Sequence, residues 1–277
     1  LKAENTQKTG SFKIRGASNC IVKLSNNSPS LAGVVTASSG NHGQAVAFVA
    51  SQLGITSVIV MPETAPQVKI DAAKSYGAVV EFCGTTSNER LDRAREISKE
   101  RGFIEIPPYD HESVIAGQGT IGQEIIEQAP KASVILVPIG GGGLISGIAF
   151  TVKTLRPDIS VIGVEPENSN SMYTSFKKGE ATQLNQTKSI ADGLLSLKPG
   201  SLTFPLVKEL VDDIHLVSEE EIKQALKVCY ERYKTVCEPS GAVSLAATLK
   251  GKWGRGTTVV SVISGGNVNL EKMVEYI

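Results

Sequence analysis

Much is missing or scarce in this sequence. Its 277 residues carry 28 Lys and Arg against 28 Asp and Glu, so no net charge remains. Binding a nucleic-acid backbone needs a clustered basic excess, which this balance does not supply. No apolar run reaches the ~18 residues of a membrane helix. The nearest, Val134 to Phe150, is interrupted by Pro138 and four consecutive glycines. The three histidines, His42, His111 and His215, share no metal-ligand spacing, which argues against zinc. The four cysteines, Cys20, Cys83, Cys229 and Cys237, form no C-x-x-C pair, and they read as reduced thiols of a cytoplasmic protein. Nucleic acid and membrane are excluded as partners. Aromatics make up only 5%, which with the neutral charge fits a homo-oligomer, a dimer or tetramer. An initiating methionine is also lacking: the chain opens Leu1-Lys2-Ala3-Glu4, so a preceding segment is expected.

What is present is the composition of a globular enzyme-sized chain, 41% hydrophobic and 20% charged. Short β-branched runs alternate with helix-period segments. Val34-Val35-Thr36 precedes an Ala-rich helix starting near Asn41. Ser57 to Met61 precedes a helix over about Pro66 to Tyr76. Val79 to Cys83 precedes a charged helix from Asn88 to Arg101, and Phe103 to Ile106 closes the series. The pattern resumes with Val134 to Val137, a helix after Gly143, Val161 to Val164 and Val259 to Ile263. Two further helices are expected over Ser218 to Val236 and Ser240 to Lys250. Continuous apolar strands alternating with helices predict parallel sheets covered on both faces. Two α/β lobes follow: a small one over residues 33–110, and a large one made of 1–32 and 111–277. A ligand cleft between lobes, and closure around it, are expected.

Four polar, glycine-bearing segments could carry chemistry. Gly140-Gly141-Gly142-Gly143 links a strand to a helix starting near Leu144, and backbone N–H groups there can hold a phosphate. A dinucleotide is the competing ligand, since Glu165 ends the next strand at about the distance of a ribose contact. The G-x-G-x-x-G pattern fails, however, because Ser146 stands at its third position. Ser38-Ser39-Gly40-Asn41-His42-Gly43 occupies a second strand-to-helix junction, suited to a carboxylate or to simple capping. His42 alone reads as a structural hydrogen-bonding group rather than a base. Lys13 lies among uncharged neighbours near a helix start, where burial would lower an amine's pKa and favour attack on a carbonyl. Ser264-Gly265-Gly266-Asn267 follows the last strand.

Together, Lys8 to Ala17 (Lys-Thr-Gly-Ser-Phe-Lys-Ile-Arg-Gly-Ala), Ser-Ser-Gly-Asn-His-Gly, the tetraglycine and Ser-Gly-Gly-Asn resemble the serine/threonine dehydratases and serine racemases. Val114 to Thr120 and Ala191-Asp192-Gly193 extend the resemblance over nearly the whole chain. It implies the two-lobed fold of the tryptophan-synthase β-subunit, pyridoxal-phosphate fold type II, and pyridoxal 5'-phosphate as cofactor. By motif, Lys13 would bind the cofactor aldehyde and Phe12 would pack on its ring. Gly140, Gly141, Gly142, Gly143 and the Leu144 amide would hold the phosphate. Asn41 would bond the ring hydroxyl, Ser264 would face the ring nitrogen, and Gly193 would approach the cofactor through its backbone. Ser38, Ser39, Gly40, Asn41 and His42 would receive the substrate carboxylate.

The implied reaction is β-elimination from L-threonine or L-serine. A racemase is the alternative, with Ser39 as the second proton donor. Ala37, Pro108-Tyr109-Asp110 and Leu210 to Ile214 look more like the biodegradative threonine dehydratases. The resemblance would also place a regulatory domain of the biosynthetic threonine dehydratases after Asn267, and a chain without one is expected to be a catabolic or unregulated enzyme. Glu165 and Ser169 match the racemases' cation ligands, but Ser171 replaces an Asp, leaving a monovalent ion, a divalent ion or none open. A nicotinamide oxidoreductase would have no need of Lys13. A sensor without turnover would have little use for Lys13 and Ser264.

Overall fold

The structure, a computed structural model, describes residues 1–28, 30–65 and 67–277. Its strands are β1 (Lys2–Ala3), β2 (Val34–Ala37), β3 (Ser57–Met61), β4 (Val79–Phe82), β5 (Ile104–Glu105), β6 (Val134–Pro138), β7 (Ser160–Pro166), β8 (Asp213–Val217) and β9 (Val259–Ile263). The α-helices of the first half are α1 (Lys13–Asn27), α2 (Asn41–Gln52), α3 (Gln67–Ser75), α4 (Ser87–Arg101) and α5 (Glu112–Gln128). Those of the second are α6 (Gly143–Leu155), α7 (Ser171–Lys178), α8 (Thr203–Leu210), α9 (Glu219–Val228), α10 (Pro239–Lys250) and α11 (Leu270–Tyr276). The expected start of α3 at Pro66 lies outside the described residues.

The chain divides into two compact units, residues 1–12 with 118–277, and residues 13–117. The second unit holds a four-stranded parallel sheet in the order β4-β3-β2-β5. Alternate residues feed opposite faces, as the strand's two-residue period requires. Val34, Ile59 and Met61 join Ala17, Cys20, Ile21 and the Ala45–Ala47 run on one side. Val35, Val58 and Val60 meet Ala94 and Ile97 of α4 on the other. This packing moves a boundary relative to the sequence expectation. α1 buries its inner face against α2, so residues 13–32 go with this unit.

The first unit holds a five-stranded parallel sheet, β1-β9-β6-β7-β8. Ile135 and Val137 face a core with Leu144, Ile145 and Ile148 of α6. Leu136 faces the opposite core with Ala242, Val243 and Ala246 of α10. α5 reaches α6 through missing side chains. A Cβ on Gly119 would lie 2.8 Å from Thr151 Oγ1, and one on Gly122 would lie 3.0 Å from the Ile148 carbonyl.

Two strands departed from expectation. β1 has two residues and pairs only with β9. β8 alternates Asp213, His215 and apolar residues, so it lacks the continuous apolar run that marked the others. The helix expected to reach Val236 ends at Val228. A π-turn over Cys229–Tyr233 follows, closed by Lys234 at φ 53°. Among the described residues, no helix is long and apolar enough to cross a membrane, and all four cysteines are free.

Candidate active site

In the unit of residues 13–117, Lys13 opens α1 and is half-buried. Its Nζ donates to the Pro108 carbonyl at 2.6 Å. That carbonyl follows the anchored end of β5, where Ile106 N–H donates to Val35 at 2.9 Å. His42, 3% exposed, donates from Nε2 to the Ile106 carbonyl at 2.8 Å, and its Nδ1 has no partner. Burial, with the Lys13 charge in second place, pushes the His42 pKa down to about 3. The imidazole, neutral at ordinary pH, buttresses the end of β5.

β2 ends at Ala37 and α2 begins at Asn41, with Gly40 as N-cap. Ser38, Ser39, Gly40 and Asn41 are half-buried at that junction. Gly40 N–H reaches Ser38 Oγ at 3.3 Å. Gly43 is required by close approach, because a Cβ there would sit 2.4 Å from the Ser38 carbonyl. The first N–H groups of a helix lack intrahelical acceptors, so this turn suits a carboxylate. Gly117 explains the Val114 to Thr120 motif in the same way, its missing Cβ lying 2.6 Å from the Arg15 carbonyl of α1.

In the other unit, the tetraglycine leaves β6 through Ile139 and enters α6. Gly141 to Leu144 are buried, and the N–H groups of Gly140 to Leu144 donate to nothing among the described residues. Buried unpaired donors are costly, so four at one helix start suit an anion. Side chains are excluded there. Gly142 has φ +98°, and a Cβ on it would lie 2.6 Å from Met172 Cε. A Cβ on Gly140 would lie 3.2 Å from the Gly193 carbonyl. The cradle therefore fits a phosphate and admits no residue but glycine at Gly142.

Gly193 and Ser264 converge near that loop through a residue that motif reading missed. Ser240 Oγ accepts from Gly193 N–H at 2.8 Å, and the Ser240 carbonyl accepts from Ser264 Oγ at 3.4 Å. Ser264 is 4% exposed. Its turn also grips the stretch that ends at Phe12. Phe12 N–H donates to the Ser264 carbonyl at 3.1 Å and Gly266 N–H to Gly10 at 2.9 Å. Asn267 Nδ2 donates to the Thr9 carbonyl at 2.8 Å. Phe12 packs against the α6 core, and Lys13 is the next residue in the chain.

Glu165 ends β7 almost fully buried, and its carboxylate accepts from Met172 N–H at 3.1 Å and Tyr173 N–H at 2.6 Å. It thus caps α7, while burial pushes its pKa up to about 8. Ser169 Oγ donates to the Leu194 carbonyl at 2.8 Å, and Ser171 Oγ is buried without a partner. Among the described residues, no three His, Cys, Asp or Glu side chains cluster to hold a metal.

Two parallel-sheet α/β units, one of them carrying a glycine cradle suited to a phosphate, are the architecture of the pyridoxal-phosphate enzymes of fold type II. The chain belongs to the family described as pyridoxal-phosphate dependent enzyme, which it matches over residues 1–265. It is 47% identical over 277 residues to the catabolic L-threonine dehydratase TdcB of Staphylococcus aureus, covering 99% of this chain and 80% of that one. Two solved structures share its fold at a TM-score of 0.93. Maize serine racemase is 40% identical, with 98% of this chain and 84% of that chain covered. The processed form of threonine deaminase isoform 2 from Solanum lycopersicum is 39% identical, with 99% and 76% covered.

Proposed function

We propose that the chain converts L-threonine, L-serine or both to 2-oxobutyrate or pyruvate, releasing ammonia, with pyridoxal phosphate as cofactor. The 47% identity to a catabolic L-threonine dehydratase, spread over 99% of this chain, carries this reading. When bound, the cofactor supplies an electron sink for charge at the substrate's α-carbon. The chain's own groups supply position and proton transfer.

The N–H groups of Gly140 to Leu144 would hold the phosphate, and the helix dipole of α6 would reinforce them. Lys13 Nζ would hold the cofactor aldehyde, and its free amine would take the substrate's α-proton while the β-hydroxyl picks up a proton and leaves as water. The Ser38–Asn41 turn orients the substrate carboxylate, which fixes the α-proton relative to that amine. Asn41 would bond the ring hydroxyl. Ser264 would offer the ring nitrogen a hydroxyl, which does not demand a protonated nitrogen as a carboxylate would, and this would favour β-elimination over transamination. The released enamine hydrolyses in water to the 2-oxo acid and ammonia. A cation held at Glu165 and Ser169 would act beside this machinery rather than in it.

A second reading, serine racemisation, is favoured by the maize structure and by Ser39, half-buried beside α2. Ser39 Oγ would then deliver a proton to the opposite face of the α-carbon. Incubation with each L-amino acid, with oxo acid and D-serine measured together, decides between them. Oxo acid without D-serine supports the dehydratase. D-serine from the wild type but not from Ser39→Ala supports the racemase.

A further inference from the structure

Thr203 belongs to no motif that marks the cofactor, yet it is fully buried at the start of α8, against the tetraglycine loop. Its Oγ1 donates to the Gly141 carbonyl at 2.6 Å and accepts from Gly200 N–H at 3.0 Å. A carbonyl can only accept, so the hydroxyl proton is committed to Gly141 and Gly200 fills the remaining role. The Thr203 carbonyl accepts from Ser146 Oγ, in the first turn of α6, at 3.3 Å. A Cβ on Gly142 would lie 2.8 Å from Thr203 Oγ1. One residue thereby touches the second glycine, the third glycine and the helix they lead into.

The peptide joining Gly141 to Gly142 is planar, and its C=O and N–H point in opposite directions. Pinning the Gly141 carbonyl onto Thr203 therefore aims Gly142 N–H away from Thr203, where no acceptor among the described residues meets it. We propose that Thr203 is a positioning residue for the cofactor phosphate, setting the Gly141–Gly142 peptide so that its N–H faces the anion. This rests on the pyridoxal-phosphate reading above. It assigns Thr203 no contact with substrate or cofactor.

The test compares pyridoxal phosphate with pyridoxal, which lacks the phosphate, by absorbance titration of cofactor-free wild type, Thr203→Val and Thr203→Ser. A valine of the same shape removes both hydroxyl bonds and leaves the two groups only their long mutual bond, Gly200 N–H to the Gly141 carbonyl at 3.4 Å. It should weaken pyridoxal phosphate roughly 10- to 100-fold, while pyridoxal affinity stays within about threefold. Thr203→Ser retains the hydroxyl and should keep the wild-type preference for the phosphorylated form. Should the valine variant not fold, Thr203→Ala is read in its place. Three results overturn the proposal: a folded Val variant with the wild-type preference, equal weakening for both ligands, or a Ser variant that loses the preference. Wild type that takes up no pyridoxal phosphate would sink the cofactor reading itself.

Discussion

Lys13 Nζ and the Pro108 carbonyl are 2.6 Å apart, joined across one unit of the chain. Pro107 and Pro108 have fixed φ angles, and the residue before them is held by the sheet and by His42. The acceptor of the Lys13 amine is therefore rigid, and His42 is what ties it to α2.

That tie has a pH signature. The His42 pKa is about 3 in the folded chain against an ordinary 6.5, so the unfolded chain binds more protons between these values. The stability His42 contributes is present above about pH 6.5 and is lost as pH falls toward 3. Denaturant midpoints across pH 4–7 should drop with acid in the wild type. His42→Asn should be less stable at neutral pH but flatter, and an unchanged slope would contradict the assignment.

Glu165 acts with the opposite sign. Its folded pKa of about 8 lies above the ordinary 4.5, so its contribution is complete below about pH 4.5 and is lost as pH rises through 8. Glu165→Gln should flatten the stability profile on that side. If a cation binds at Glu165 and Ser169, magnesium or potassium should raise the melting temperature of wild type near pH 8. The rise should vanish in Glu165→Gln.

Gly10 and Asn267 test the clamp that leads into Lys13. Gly10 has φ +71°, and a Cβ there would fall 2.3 Å from Asn267 Oδ1. Gly10→Ala should cost about 1–3 kcal/mol by denaturant unfolding. Turnover per folded molecule should fall as well, because the bonds of Thr9, Gly10 and Phe12 to the Ser264–Asn267 turn set where Lys13 begins.

The glycine-bearing motifs were legible because their chemistry leaves few residue choices: glycines where a Cβ cannot fit. β3 and the start of α2 were equally plain, the first from a continuous apolar run, the second from its strand-to-helix turn. The capping box of α9, Ser218 with Glu221, could be read from spacing alone. Thr203, Ser240 and Pro108 could not. Thr203 and Ser240 bond the backbone of residues distant in sequence, Pro108 offers its carbonyl to the distant Lys13 side chain, and none of the three carries a local mark of its partner. The π-turn at Cys229–Tyr233 was hidden for a related reason, since Lys234 gives no sign that it adopts a left-handed conformation.

Ser264 tests the electronic argument. Ser264→Ala should keep elimination within about tenfold, since an unprotonated ring nitrogen needs no charged partner. Ser264→Asp should depress elimination further and let transamination products appear in chromatography of the reaction. Equal activity of Ser264→Asp and wild type would contradict this role.

The central claim, that Lys13 carries pyridoxal phosphate for amino-acid elimination, is tested most directly by visible absorbance of the loaded protein before and after L-threonine. The account predicts a violet band that shifts on addition while 2-oxobutyrate accumulates, with neither response in Lys13→Ala. A wild-type protein without such a band after incubation with pyridoxal phosphate, or a Lys13→Ala variant that turns over like wild type, would contradict it.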